Sequence, residues 1–164
     1  MTKTEAVYRY KMPFFTLTVT ATATALTGVA FGDACNGSPE RETELTHAAF
    51  DEIHEYLEGK RREFDLPLEM RGTPFQLKIW EALRTIPYGT TVSYREIARA
   101  AGNEQAARAA GGALNANPIA IIVPCHRVIG SDGSLTGFAG GIELKEKFIR
   151  LEECFDKKLQ KIKK

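Results

Sequence analysis

Ser93-Tyr94-Arg95-Glu96-Ile97-Ala98-Arg99-Ala100-Ala101-Gly102-Asn103-Glu104-Gln105-Ala106-Ala107-Arg108-Ala109-Ala110-Gly111-Gly112-Ala113 is the stretch on which the fold turns. Ser93 followed three residues later by Glu96 is a capping-box signature, and the helix it opens runs to about Ala101 and stops at Gly102. Asn103 then caps a second helix from Glu104 to about Leu114. Two short helices joined by a tight Gly-Asn turn make a helix-turn-helix. The second helix presents almost only small side chains, and each interior glycine costs it about 1 kcal/mol against alanine. In exchange its backbone can approach something closely, either a neighbouring helix or a narrow nucleic-acid groove. Arg108 is the one long side chain near its middle. Arg95 and Arg99 lie four apart on the first helix, a spacing that with this motif predicts a phosphate-contacting surface.

Just upstream, Thr73-Pro74-Phe75-Gln76 is another capping box, with proline at the first helical position. Phe75, Ile79, Ala82 and Leu83 form its buried stripe, flanked by Trp80, and Ile86-Pro87-Tyr88-Gly89 is a turn. Downstream, the apolar run Ile119-Ala120-Ile121-Ile122-Val123 reads as a buried strand that Pro124 ends or bends. Cys125, His126 and Arg127 follow at once. Gly137-Phe138-Ala139-Gly140-Gly141 is a glycine-rich loop without the Lys-Ser/Thr of a phosphate loop. A helix from Ile142 to about Phe155 comes next, and a frayed basic tail from Lys157.

The N-terminal part reads differently. Phe15, Leu17 and Val19 alternate with threonines, and Leu26, Val29 and Phe31 supply a partner, so residues 14–31 form a hairpin. Ser38 before Pro39 is one start for a helix carrying Leu45, Ala49, Ile53 and Tyr56, closed by Gly59. Phe64 to Leu68 is a short extended piece. The fold class is α/β: a small N-terminal α/β domain with a β-hairpin or sheet over residues 1–71, then a mostly helical domain over 72–164 with a winged-helix-like helix-turn-helix.

A chain of 164 residues, 43% hydrophobic and 26% charged, has the composition of a soluble globular protein. No apolar run reaches the roughly 20 residues that span a bilayer, and Met1-Thr2-Lys3-Thr4-Glu5 lacks the pattern of a secretory signal. Cys35, Cys125 and Cys154 are too few and scattered for a disulfide framework, which predicts a cytoplasmic protein, or a nuclear one in a eukaryote. The net charge of +1 requires any nucleic-acid footprint to be local. His47, His54 and Cys35 lack the tight spacing of a zinc site, and the histidines read as the polar flank of an amphipathic helix. No metal and no cofactor is expected.

A thiol beside an imidazole is a candidate nucleophile once its proton is removed. His126 is the nearest base, reaching the sulfur where the chain bends after Pro124 or through a water. A carboxylate behind the imidazole would set its tautomer. The last helix offers Glu143, Glu146, Glu152 and Glu153, and composition does not choose among them.

Pro124-Cys125-His126-Arg127-Val128, preceded by Arg108 to Ala113 and Asn117-Pro118, resembles the O6-alkylguanine-DNA alkyltransferase family. Gly72 to Gln76, Trp80, Ile86 to Gly89, Ser93-Tyr94, Ile97-Ala98 and Gly137 to Gly141 match it in the same order. The resemblance is dense over residues 72–152 and only general before that. It implies single-turnover repair of double-stranded DNA. The alkylated guanine is flipped out through the minor groove, and its O6-alkyl group (or the O4 group of thymine) passes to the cysteine. By match, Cys125 is the acceptor, His126 the base acting through water and Glu152 the acid that orients it. Asn117 holds the turn before the active-site segment. Tyr94 rotates the nucleotide and donates to the base, Arg108 fills the gap in the stack, and the carbonyls of Cys125 and Val128 accept from the exocyclic amine. Arg95, Arg99 and Arg127 join the DNA-binding set, and the protein is expected to act as a monomer.

Phe138 and Ala139 stand where some relatives have Tyr and Ser, which leaves the loop's backbone amides as donors to the base. An alkyltransferase-like sensor, which binds such bases without repairing them, carries another residue at the cysteine position. A helix-turn-helix transcription factor would place several polar readers on its second helix. A Cys/His hydrolase would need an oxyanion hole.

Overall fold

The computed structural model describes residues 5–163, with side chains to Lys157. The chain divides into two compact units, one of residues 1–71 with 118–122 and one of residues 72–117 with 123–164. In the first, β1 (Ala6–Lys11), β2 (Thr16–Ala21) and β3 (Leu26–Phe31) form an antiparallel meander in that order. Leu17, Val19 and Ala21 are fully buried at period two, the alternation that lets one sheet face pack while the other stays wet. The hairpin expected over 14–31 is therefore β2–β3, and β1 extends it to a three-stranded sheet.

Helix α1 (Glu44–Leu57) lies on this sheet and buries Ala49, Ile53 and Tyr56. It starts later than Ser38. Asn36 and Gly37 both have positive φ, and the Ser38 amide donates to the Cys35 carbonyl at 2.9 Å, so this segment closes a tight turn instead. The cap is Thr43, in a box with Thr46. Gly59 ends the helix at φ 77, and the Lys60 amide reaches back to Glu55 at 2.9 Å, the paired closure that a left-handed glycine permits.

The apolar run Ile119–Val123 is not a strand. Only Ile119 bridges β3, through Val29 and its neighbours: the Val29 amide donates to Pro118 and the Ala120 amide to Val29, each at 2.9 Å. The chain then turns. Ile121 has φ 71, and the Ile122 amide donates to the Ala120 carbonyl at 2.8 Å; this is a γ-turn of the rare, strained hand. A β-branched residue at positive φ persists only where its surroundings impose it, and Ile121 is 1% exposed. Five apolar residues in a row report burial on every side, which a buried turn satisfies as well as a buried strand.

In the second unit α2 (Pro74–Leu83) begins at the Thr73–Gln76 box. Trp80 lies beneath α2 rather than on its flank: it is 1% exposed and its indole N–H donates to the Ala113 carbonyl at 2.8 Å. A short strand β4 (Val92–Ser93) feeds α3 (Tyr94–Ala100), where Ser93 accepts from the Glu96 amide. Gly102 turns at φ 96 and the Asn103 amide returns to Ala98. The second helix of the motif opens as a 3-10 turn, Glu104–Ala106, and continues as α4 (Ala107–Asn115). Ala110, Ala113 and Leu114 face inward, while Arg108, Ala109 and Gly112 are exposed. A 3-10 turn at Cys125–Arg127 leads into β5 (Val128–Ile129), parallel to β4. Helix α5 (Ile142–Lys163) runs on past Phe155, so the basic tail is helical over its described length. Among the described residues no helix is long and apolar enough to cross a membrane.

Candidate active site

Pro124, at φ −82 and ψ 67, forms a second γ-turn, with the Cys125 amide donating to the Val123 carbonyl at 2.8 Å. This one has the unstrained hand. Asn117 donates its side-chain amide to the same carbonyl at 2.9 Å and also hydrogen-bonds the Cys125 side chain. The turn starts the 3-10 segment, so Cys125 stays partly accessible while the next residue, His126, points inward and is fully buried. The bend thus solves the problem of two neighbours pointing to opposite faces of an extended chain.

Behind His126 stands Glu152, one of the four glutamates on α5. Its Oε2 lies 2.5 Å from His126 Nε2. Arg127 donates Nε to Oε1 at 2.8 Å and an NH2 hydrogen to Oε2 at 3.2 Å, and its third branch donates to the Ile86 carbonyl at 2.7 Å. The Gly89 amide adds a donor to Oε1 at 3.1 Å. Gly89 is at φ 81, and a Cβ there would meet the Asp156 side chain at 2.9 Å, so this amide is available only from glycine. Arg127 was expected to face DNA. It is 7% exposed, packs over the Tyr88 ring at 5.6 Å and is committed to Glu152. The reason is electrostatic: a carboxylate buried this deeply needs a bidentate cation beside it.

Burial acts to raise the Glu152 pKa, but the hydrogen bonds and charges of His126 and Arg127 together outweigh it and hold the carboxyl at about 2. Burial lowers the His126 pKa, with Glu152 resisting. A neutral imidazole facing an ionised carboxylate carries its proton on Nε2, which leaves Nδ1 as the basic nitrogen. Burial pushes the Cys125 thiol up, opposed first by the Asn117 hydrogen bond and then by the charge of Lys145.

Lys145 is a residue the sequence reading missed. It is 1% exposed, burial lowers its pKa, and no carboxylate among the described residues pairs with it. Its ammonium donates to the Thr136 carbonyl at 2.8 Å and lies 5.9 Å from the Tyr94 ring centre. The Tyr94 hydroxyl donates to that same carbonyl at 3.0 Å. The signal was its position, one residue after Leu144 on the buried stripe of α5, where a lysine is out of place unless it has a task.

The other expected residues fall into two groups. Val128 is fully buried on β5, Phe138 packs edge-on to Phe148 at 6.3 Å between ring centres, and Ala139 is exposed in the glycine-rich loop. Arg95, Arg99 and Arg108 are exposed on the helix-turn-helix, and Arg108 forms no ion pair with any other described residue. His47 pairs with Glu42 and Asp51, and His54 with Glu58. Among the described residues no three His, Cys, Asp or Glu side chains group to hold a metal ion.

A partly exposed cysteine next to a buried His-Glu-Arg cluster, in the same unit as a slim helix-turn-helix, has close counterparts. Residues 74–154 match the model of the 6-O-methylguanine DNA methyltransferase DNA binding domain, and residues 7–70 that family's ribonuclease-like domain. The chain is 55% identical over 102 residues to the inducible methylated-DNA–protein-cysteine methyltransferase of Bacillus subtilis, covering 62% of this chain and 57% of that protein. It is 50% identical over 109 residues to the Methanosarcina acetivorans enzyme of that name, covering 66% of this chain and 70% of the other. The match thus spans less than two thirds of the Bacillus protein's length. The crystal structure of Mycobacterium tuberculosis O6-methylguanine methyltransferase superposes with a TM-score of 0.85 at 41% identity, over 92% of this chain and 94% of that one. A structure of the Mycobacterium tuberculosis protein in complex with DNA gives 0.83 at 42% identity, over 90% and 92%. By these matches the chain belongs to the 6-O-methylguanine DNA methyltransferase family.

Proposed function

We propose that this protein repairs DNA by moving an alkyl group from O6 of guanine, and from O4 of thymine, onto Cys125, once per molecule. The observation that carries this reading is the buried Glu152–His126 pair, locked by Arg127, with His126 the residue next to the partly exposed Cys125. The Cys125 proton passes to His126 Nδ1 through a water. The thiolate attacks the alkyl carbon, the carbon–oxygen bond breaks as the carbon–sulfur bond forms, and its electron pair returns to O6. The proton is returned to the base, so thiol and alkylguanine become thioether and guanine. Cys125 must be reduced, which fits a reducing compartment.

The relative solved in complex with DNA supports DNA as the partner. The exposed Ala/Gly face of α4 suits the minor groove, about half as wide as the major one. Arg108 would replace the extruded base in the stack, Tyr94 would turn and protonate the nucleotide, and the Cys125 and Val128 carbonyls would accept from its amine. Arg95 and Arg99 would meet phosphates, and one chain suffices for the reaction.

The test is to mix the protein with a duplex carrying O6-methylguanine and weigh it intact. One methyl in place of one hydrogen, mapped to Cys125, is expected; a folded protein with no mass gain refutes transfer and leaves the sensor reading. Arg108→Ala should slow repair of the duplex by about a hundredfold while sparing transfer from free O6-methylguanine, because flipping costs a few kcal/mol that the plug offsets. Equal losses on both substrates would remove Arg108 from that role.

Lys145 supports the thiolate by charge. Lys145→Met should leave the fold intact, raise the Cys125 pKa and slow transfer by about tenfold at neutral pH. The pKa is read from the pH dependence of alkylation by iodoacetamide. An unchanged profile would reduce Lys145 to a tether of the Thr136 loop.

A further inference from the structure

Arg95 and Arg99 occupy successive turns of α3, with side chains 69% and 63% exposed. Both turn toward one atom. Arg95 Nε lies 3.2 Å and Arg99 NH2 2.8 Å from Oε1 of Glu104, the first residue of the 3-10 turn that opens the second helix. Two guanidiniums converging on a single carboxylate oxygen reproduce the way such a pair grips a phosphate oxygen. Glu104 is itself exposed, at 42%, and stands four residues, about one helical turn, before the exposed Arg108.

We propose that Glu104 is a built-in phosphate competitor: it occupies Arg95 and Arg99 in the free protein and weakens the hold on undamaged DNA. Exposed ion pairs are weak, so a backbone phosphate displaces the carboxylate without a large barrier. The duplex must first win both guanidiniums from the carboxylate, and that exchange lowers affinity for every sequence alike. A single-use protein gains from this. It must leave undamaged duplex quickly, because non-specific electrostatic binding is what holds such proteins on the wrong sites. The inference rests on the reading of this face as the DNA-binding one.

The experiment measures binding to undamaged duplex across a salt series for the unaltered chain, Glu104→Gln, Arg95→Gln/Arg99→Gln and the triple combination. Glu104→Gln should bind about fivefold more tightly at low salt, with the gain fading as salt screens the competing charge. In the Arg95→Gln/Arg99→Gln background the same change should do little, since nothing is left to unmask. Transfer from free O6-methylguanine should be the same in the unaltered chain and in Glu104→Gln. If Glu104→Gln matches the unaltered chain, or tightens binding equally without the arginines, the competitor role is refuted while DNA binding stands. If the unaltered, folded chain binds no duplex at any salt, the DNA reading itself fails. Glu104→Ser serves as the second variant should the glutamine protein not fold, with the same expected gain.

Discussion

Cys125→Ser is expected to bind duplex DNA like the unaltered chain and to take up no methyl group. The two side chains differ by one atom, and the γ-turn at Pro124 and the Asn117 hydrogen bond to Val123 both act on backbone that the change leaves alone. What changes is the acid. Even with burial raising its pKa, the thiol gives up its proton far more readily than a hydroxyl in the same place. His126, with its pKa lowered by burial, is a weak base. The transfer rate should therefore fall by more than about a thousandfold, or about 4 kcal/mol of barrier. Intact-mass spectrometry after long incubation reads this directly. A serine variant that gains the methyl group at a comparable rate would move the acceptor elsewhere, with the exposed thiol of Cys154 the next residue to map.

The helix-turn-helix was legible because its caps are local chemistry: Ser93, Gly102 and Asn103 each satisfy orphan backbone groups within a few residues. The same holds for Thr73. Ile119–Val123 was not legible, since hydropathy records that a segment is buried but not its φ values, and a positive φ at Ile121 has no signature in composition. Arg127 was misassigned for a related reason. Its charge is visible in the sequence, but the carboxylate that claims it is 25 residues away. Among the α5 carboxylates, spacing alone did not separate Glu152 from its neighbours. Burial does, because only a glutamate beneath His126 and Arg127 can satisfy both.

Glu152→Gln tests that relay through stability as well as rate. The amide can still meet one partner, but it carries no charge for Arg127 and cannot accept from His126 and both guanidinium nitrogens together. Removing one member of a buried ionic cluster leaves another uncompensated, at a cost of about 3–5 kcal/mol. His126 also loses the acceptor that fixes its Nε2 proton, so the Cys125 pKa should rise and transfer should slow. The pH dependence then separates charge from shape. Glu152 has its folded pKa depressed from 4.5 to about 2, equivalent to about 3 kcal/mol. A depressed pKa contributes stability that is complete above 4.5 and disappears as pH falls through about 2. His126 is likewise depressed, so its contribution begins to fall below 6.5. Urea midpoints should therefore show the unaltered chain well above Glu152→Gln at pH 7, and the gap should narrow steadily between about pH 4.5 and the acid limit of folding. A gap of the same size at pH 7 and pH 3 would mean that the glutamate acts by shape alone. The chain would then hold His126 without an ionised carboxylate behind it, and Arg127 would need another partner.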